Sequence, residues 1–205
     1  MKNGRDVADL LEIEHAQLHY ITSRRRERYS YHAFEIPKKS GETRQILAPH
    51  PTVKILQRKL LHVFNLVYEA HPAAHGFVPK HSILTNAQPH QGKRFVLNVD
   101  LEDFFPSIIF PRVRGLFIKH FRLPNRAATV LARVCCNTDD DPDHLPQGAP
   151  TSPIISNMIV TRWIMPSLAW RAIMGSTTRD TLTTSLFRLT DAHSRRRWRS
   201  TTAAV

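Results

Sequence analysis

Cysteine is almost absent: the 205 residues hold two, and they are neighbours, Cys135 and Cys136. Adjacent positions give poor disulfide geometry and nothing like the spacing of zinc ligands, so a disulfide-stapled scaffold is excluded and the pair reads as two small buried side chains. Long apolar runs are missing too. No stretch approaches the ~18 consecutive apolar residues that cross a bilayer, and the polar start MKNGRDVADLLEIEH lacks the apolar centre of a signal peptide. These absences point to a globular cytoplasmic protein with no membrane partner. Acidic residues are scarce against basic ones: 17 Asp plus Glu face 29 Lys plus Arg, a formal net charge of +12 with a pI near 10.4. Such a surplus suggests a polyanionic partner, because each cation set on a phosphate releases condensed counterions. With 41% hydrophobic residues the chain can bury a core of one or two domains, which excludes wholesale disorder and a collagen-like fibre.

Charge and composition divide the chain. Residues 1–160 hold 21 basic and 15 acidic residues, whereas the last 45 hold 8 Arg, 2 Asp and no Lys, with 14 Ser or Thr. Within the first part, Val7, Leu10, Leu11, Ile13 and Leu18 recur at helical intervals over residues 5–22. Phe34 and Ile36, then Ile46, flank KKSGE, where Ser40 and Gly41 suit a hairpin turn with a basic tip. Residues 51–70 open on proline and place Val53, Leu56, Leu60, Val63, Phe64 and Val67 on one face, the pattern of an amphipathic helix. Phe95, Val96, Leu97 and Val99 form a short apolar run that ends at Asp100, as a buried strand does. Helical patterns follow over 112–122 and 125–136, then a loop whose Asp139 to Asp141 run beside Pro142 reads as a solvated turn rather than a metal cluster.

One carboxylate at a strand end does not define an enzyme. Four features in order raise the odds: the basic hairpin KKSGETR, then HGFVPKHSILTNA, then VDLEDFFPSI, then LPQGAPTSPIISN. Together, from about Tyr31 to Ile159, they resemble reverse transcriptases of the retron type. The resemblance implies an α+β fold, the fingers and part of the palm of a right-hand polymerase with the thumb absent. It divides the chain into an N-terminal helical region 1–30, the partial fingers and palm 31–160, and an aberrant tail 161–205 expected to be poorly ordered. It also implies RNA-directed DNA synthesis from dNTPs, with a structured non-coding RNA as primer and template, a DNA product and a role in defence against phage. Group II intron-like reverse transcriptases and a non-catalytic RNA-binding remnant are the alternatives.

The chemistry so implied is two-metal phosphoryl transfer, in which two Mg²⁺ ions stabilise the attacking and leaving oxygens. By resemblance Asp100 is a metal ligand and Leu101 adds a backbone carbonyl, as hard cations take oxygen donors. Phe105 matches the bulky gate against a 2′-hydroxyl; without that context it is a core aromatic. Gln147 offers a donor and an acceptor beside the nucleotide, and Gly148 permits close backbone approach. Lys38, Lys39 and Arg44 supply charge for a triphosphate, with the particular lysine left open. His75, Gly76, Phe77 and Asn86 would lie along the template by the same resemblance.

What the sequence lacks most conspicuously is the family's Tyr-Ala-Asp-Asp, whose two acids complete the metal site. After Ile159 the text turns Arg- and Thr-rich. Reading codons from the third base of each present codon gives forced results: Trp163 with Ile164 reads Asp, Met165 with Pro166 reads Ala, and Met174 with Gly175 reads Gly. The same frame permits Tyr-Ala-Asp-Asp across Asp180 to Thr184. The expectation is a frame slip between about Asn157 and Trp163, leaving the polypeptide catalytically incomplete.

Overall fold

The computed structural model describes residues 1–23, 27–37, 41, 43–92, 96–100, 103–139, 142–161, 183–188 and 201–203; for residues 27, 96–100, 183–188 and 201–203 it describes the backbone only. The chain forms two compact units, one of Met1–Tyr68 with Phe105–Ser156, the other of Glu69–Phe104 with Asn157–Val205.

The first unit opens with two short helices where the periodicity predicts one helical region. Helix α1, Gly4–Leu11, starts at Asn3, whose side chain accepts from the Arg5 and Asp6 amides. It stops because Glu12 turns left-handed at φ 51°, and α2, His15–Ile21, begins anew. Lys59 seals the break by donating to the Leu11 carbonyl at 2.8 Å and the Glu12 carboxylate at 2.7 Å. Strands β1, His32–Pro37, and β2, Thr43–Ala48, pair antiparallel with Phe34 opposite Ile46 and Ile36 opposite Arg44. Directly opposed residues share a face, so His32, Phe34, Ile36, Arg44, Ile46 and Ala48 line one side of the hairpin.

Helix α3, Pro51–Val67, has proline in its first turn and an N-cap at His50, whose Nδ1 accepts from the Thr52 amide at 3.2 Å. Its Val53, Leu56, Leu60 and Phe64 are buried, as the spacing predicts. Helices α5, Phe110–Lys119, and α6, Asn125–Cys135, supply the opposing wall. The Phe64 ring stacks on Phe117 and Phe121, both at 5.8 Å between centroids. Buried Gln57 is held across this core, its Nε2 donating to the Tyr31 hydroxyl and the Val134 carbonyl, each at 2.8 Å. Cys135 and Cys136 form no disulfide and have 0% exposure, in agreement with their reading as small core side chains.

The second unit holds the short α4, Ile83–Ala87, entered through a capping box in which Ser82 and Thr85 satisfy one another's amides. It also holds a three-stranded sheet of order β4-β3-β5. Strand β3, Val96–Asp100, runs parallel to β4, Thr183–Arg188, and antiparallel to β5, Thr201–Ala203. A further helix, α7, covers 152–161, with its residues up to Ser156 in the first unit and those from Asn157 in the second. The architecture is thus a mixed α and β one. Among the described residues no helix is long and apolar enough to cross a membrane.

Candidate nucleotide and template site

Two sequence motifs about a hundred residues apart meet in the first unit. The Leu47 amide on the free edge of β2 donates to the Gln147 carbonyl at 2.8 Å, so the PQG segment extends the hairpin by one backbone bond. Gly148 follows at φ +123°, a region that glycine alone enters without strain. A Cβ there would lie 2.8 Å from Ile46 Cγ2 and 3.0 Å from the Leu47 carbonyl oxygen. Close approach is the reason for glycine at this position, and the surface approached is the hairpin face that carries Arg44.

The loop bearing Gln147 is fixed from behind. The Leu145 amide donates to the Ile108 carbonyl at 2.9 Å, the Phe110 amide to the Asp143 carbonyl at 2.9 Å, and His144 bridges both Ile109 and Asn137. On its far side the Ser152 hydroxyl donates to the Pro146 carbonyl at 2.6 Å. The residues after Phe105 therefore act as a bracket for the QG loop. Phe105 itself is 6% exposed, and Phe104 is buried beside it in sequence. Gln147 is half-buried and Gly148 exposed.

Arg44 is half-buried, and among the described residues its Nε has no hydrogen-bond partner although the atom is shielded from solvent. An unmet guanidinium N–H carries a desolvation cost that an acceptor would remove. Lys38 and Lys39 lie outside the described residues; Gly41, between β1 and β2, takes φ 87°, as the predicted turn requires.

In the second unit, β3 ends at Asp100, where the apolar run predicts a strand to deliver it, and Leu101 lies outside the described residues. Among the described residues no group of three His, Cys, Asp or Glu side chains has the arrangement of a metal site. Among the described strands of this sheet Asp100 is the acid that β3 carries, and β4 and β5 hold no Asp or Glu. Asp139 is exposed beyond α6, and its carboxylate accepts from the Tyr31 amide at 3.0 Å, tying the turn to the start of the hairpin.

The HGF loop has its own internal frame. Phe77 is left-handed at φ 58° and 57% exposed, and Lys80 is left-handed at φ 66°. The rings of His75 and His81 lie 4.6 Å apart. His75 Nδ1 is 3.0 Å from the Thr85 hydroxyl, which already donates to the Ser82 carbonyl, so the imidazole is the donor in that pair. Burial first, then the neighbouring His81 and His90, hold His75 below the usual imidazole range. Asn157, the last residue of SPIISN, donates from Nδ2 to the Gly76 carbonyl at 2.9 Å. Sequence reading assigned no partner to Asn157, and none to Leu47. Their signals are side-chain and backbone bonds across long separations, which no local pattern carries.

Comparison with known proteins gives this geometry its class. The chain belongs to the family described as reverse transcriptase (RNA-dependent DNA polymerase), which matches residues 36–169. More particularly it is a homologue of retron reverse transcriptases. It is 41% identical over 178 residues to the Retron Mx65 reverse transcriptase of Myxococcus xanthus, covering 78% of this chain and 41% of that protein. It is 41% identical over 143 residues to the Retron Mx162 enzyme of the same organism, covering 63% and 29%. The Retron Ec86 reverse transcriptase of Escherichia coli is 39% identical over 137 residues, covering 65% and 41%. The chain thus spans less than half the length of these relatives.

Proposed function

We propose that this chain carries the fingers and part of the palm of a cytoplasmic retron-type RNA-directed DNA polymerase, which copies a structured non-coding RNA into DNA from dNTPs. The observation that supports this reading best is the junction of β2 with Gln147 and Gly148. It sets a backbone-thin segment against the face that bears Arg44, the arrangement a flat base and a triphosphate need on one side. In this reading Lys38, Lys39 and Arg44 neutralise the triphosphate, since charge-assisted hydrogen bonds are the strong ones. Gln147 borders the nucleotide, and Phe105 restricts the sugar's 2′ side. A Phe105→Val variant that kept full preference for dNTP over rNTP would return Phe105 to a packing role.

Mg²⁺ belongs to the same proposal, with Asp100 as ligand and the Leu101 carbonyl beside it. In this reading the site is incomplete in the chain as written. Two divalent ions repel each other and need carboxylates from more than one strand, and the chain as written contains no Tyr-Ala-Asp-Asp. We therefore read the polypeptide as a catalytically incomplete form, its missing motif lying out of frame across Asp180 to Thr184. The rival reading, a non-catalytic RNA-binding remnant, rests on the same missing acids. Templated dNTP incorporation by a frame-restored protein, lost in its Asp100→Asn variant with RNA affinity retained, is the expected result. Incorporation that survives Asp100→Asn would remove Asp100 from the site, and a restored protein that binds RNA without extending a primer would favour the remnant.

A further inference from the structure

Between Asp103 and Asp139 the chain carries no acidic residue, yet residues 104–138 include Arg112, Arg114, Lys119, Arg122, Arg126 and Arg133. This stretch contains α5, α6 and their connection, all in the first unit. Three of the cations are engaged: Arg114 Nε donates to the Thr129 hydroxyl at 2.9 Å, Arg133 Nη1 donates to the Thr22 carbonyl at 3.2 Å, and Arg112 also has a partner. Among the described residues Lys119, Arg122 and Arg126 have no such bond. All three are exposed, and they fall in the last turn of α5, the connection and the first turn of α6, so the topology gathers them at one end of the helical hairpin.

The ordinary reasons for surface cations cover only one of them. Lys119 suits the negative end of the α5 macrodipole. Arg126 sits at the positive end of α6, where the dipole opposes it; that turn holds no acidic residue, and the N-cap Pro124 offers no side-chain acceptor. Arg122 takes φ +54°, a conformation suited to Gly or Asn, in a turn closed by the Leu123 amide donating to the Phe117 carbonyl at 3.2 Å. No carboxylate is available for an i, i+4 pair on either helix. Among the described residues none of the three makes an ion pair. A shallow, open concavity of about 370 Å³, lined by Gly4, Asn125, Arg126, Thr129 and Val130, lies beside Arg126.

We propose that this end of the α5–α6 hairpin is a second RNA-binding surface, taking the phosphodiester backbone of a folded RNA on elements that carry none of the candidate nucleotide-site residues. The charge is complementary, and no internal partner or helix requirement accounts for Arg122 and Arg126. The choice of RNA rests on the polymerase reading above, because a template must be held before any DNA product exists.

The test uses the 205-residue chain and a blunt-ended RNA duplex, which offers no recessed end to extend, with affinity measured across a range of salt. Lys119→Glu, Arg122→Glu and Arg126→Glu together should weaken binding tenfold or more. Neutralising the same three residues with Gln should flatten the slope of log affinity against log salt by about 2–3, near one unit per lost phosphate contact. The swap Lys119→Arg, Arg122→Lys, Arg126→Lys should keep affinity within twofold. Circular dichroism establishes that each variant folds, and should the Glu variant not fold, the Gln variant carries the test. A folded variant with unchanged affinity and slope overturns the proposal. So does a DNA duplex of equal length that binds more tightly and loses as much, since the surface would then serve DNA. Failure of the polymerase reading shows elsewhere, as absent DNA synthesis by the frame-restored protein with duplex binding intact.

Discussion

At Gly148 the backbone and its neighbours leave no room for a side chain. Gly148→Ala would meet Ile46 Cγ2 at 2.8 Å and the Leu47 carbonyl at 3.0 Å while holding a left-handed φ. We expect a loss of roughly 1–3 kcal/mol, the scale of a strained non-glycine residue, read as a lower urea midpoint. Adding Ile46→Ala should recover part of the loss, because the carbonyl contact and the dihedral remain. Equal stability of Gly148→Ala and the parent would show that the junction yields freely. Cys135 gives a pH-dependent case. Burial pushes its thiol from 9.0 up to about 12, only partly offset by the Thr151 hydroxyl. Below 9.0 both folded and unfolded states hold the proton; between 9.0 and about 12 the unfolded state sheds it and the folded state does not, so this group's contribution falls as pH rises through that window. Native protein at pH 8.5 should resist iodoacetamide at Cys135, and denatured protein should not. Rapid native labelling would contradict a closed core there. Burial of the cysteine pair was legible in sequence from spacing alone. The Leu47 to Gln147 bond was not, because it joins residues that only tertiary structure brings together.

At the scale of elements, the aromatic stack between α3 and α5 joins the helical wall to its neighbour. Phe117 is fully buried and contacts Phe64 and Phe121 through its ring. Phe117→Ala should cost about 3–5 kcal/mol through lost transfer energy and the cavity left behind, measured by urea unfolding; a cost below about 1 kcal/mol would mean that the wall repacks around the gap. Helices with a strong 3.6-residue pattern were legible: α3 was expected over 51–70 and runs Pro51–Val67. Local backbone choices moved the boundaries elsewhere. The 112–122 pattern becomes Phe110–Lys119 because Pro111 suits a first helical turn, and residues 5–22 split where Glu12 turns left-handed. The strand before Asp100 was legible from its apolar run. Its pairing with β4 and β5 was not, since period-2 patterns do not name partners.

For the whole molecule, charge and chemistry separate. A net charge of +12 should make the 205-residue chain bind single-stranded RNA with an affinity that falls steeply with salt. Primer extension by the same chain should be absent, for want of the acid pair. Templated synthesis by the unaltered polypeptide would refute that reading, and sequencing the gene across codons 155–190 tests its cause directly. The bonds that close the first unit also bear on the order of synthesis. The Tyr31 amide waits for Asp139, Gln57 for Val134, and the β2 edge at Leu47 for Gln147. A chain emerging at about 5–20 residues per second therefore keeps an unfinished hairpin edge in solution for several seconds after Ala48 appears. During that interval the edge is a template for pairing with other strands, the hazard that exposed edges carry. The last segment of that unit ends at Ser156, so the ribosome delivers every residue the edge is waiting for before it reaches the arginine-rich tail.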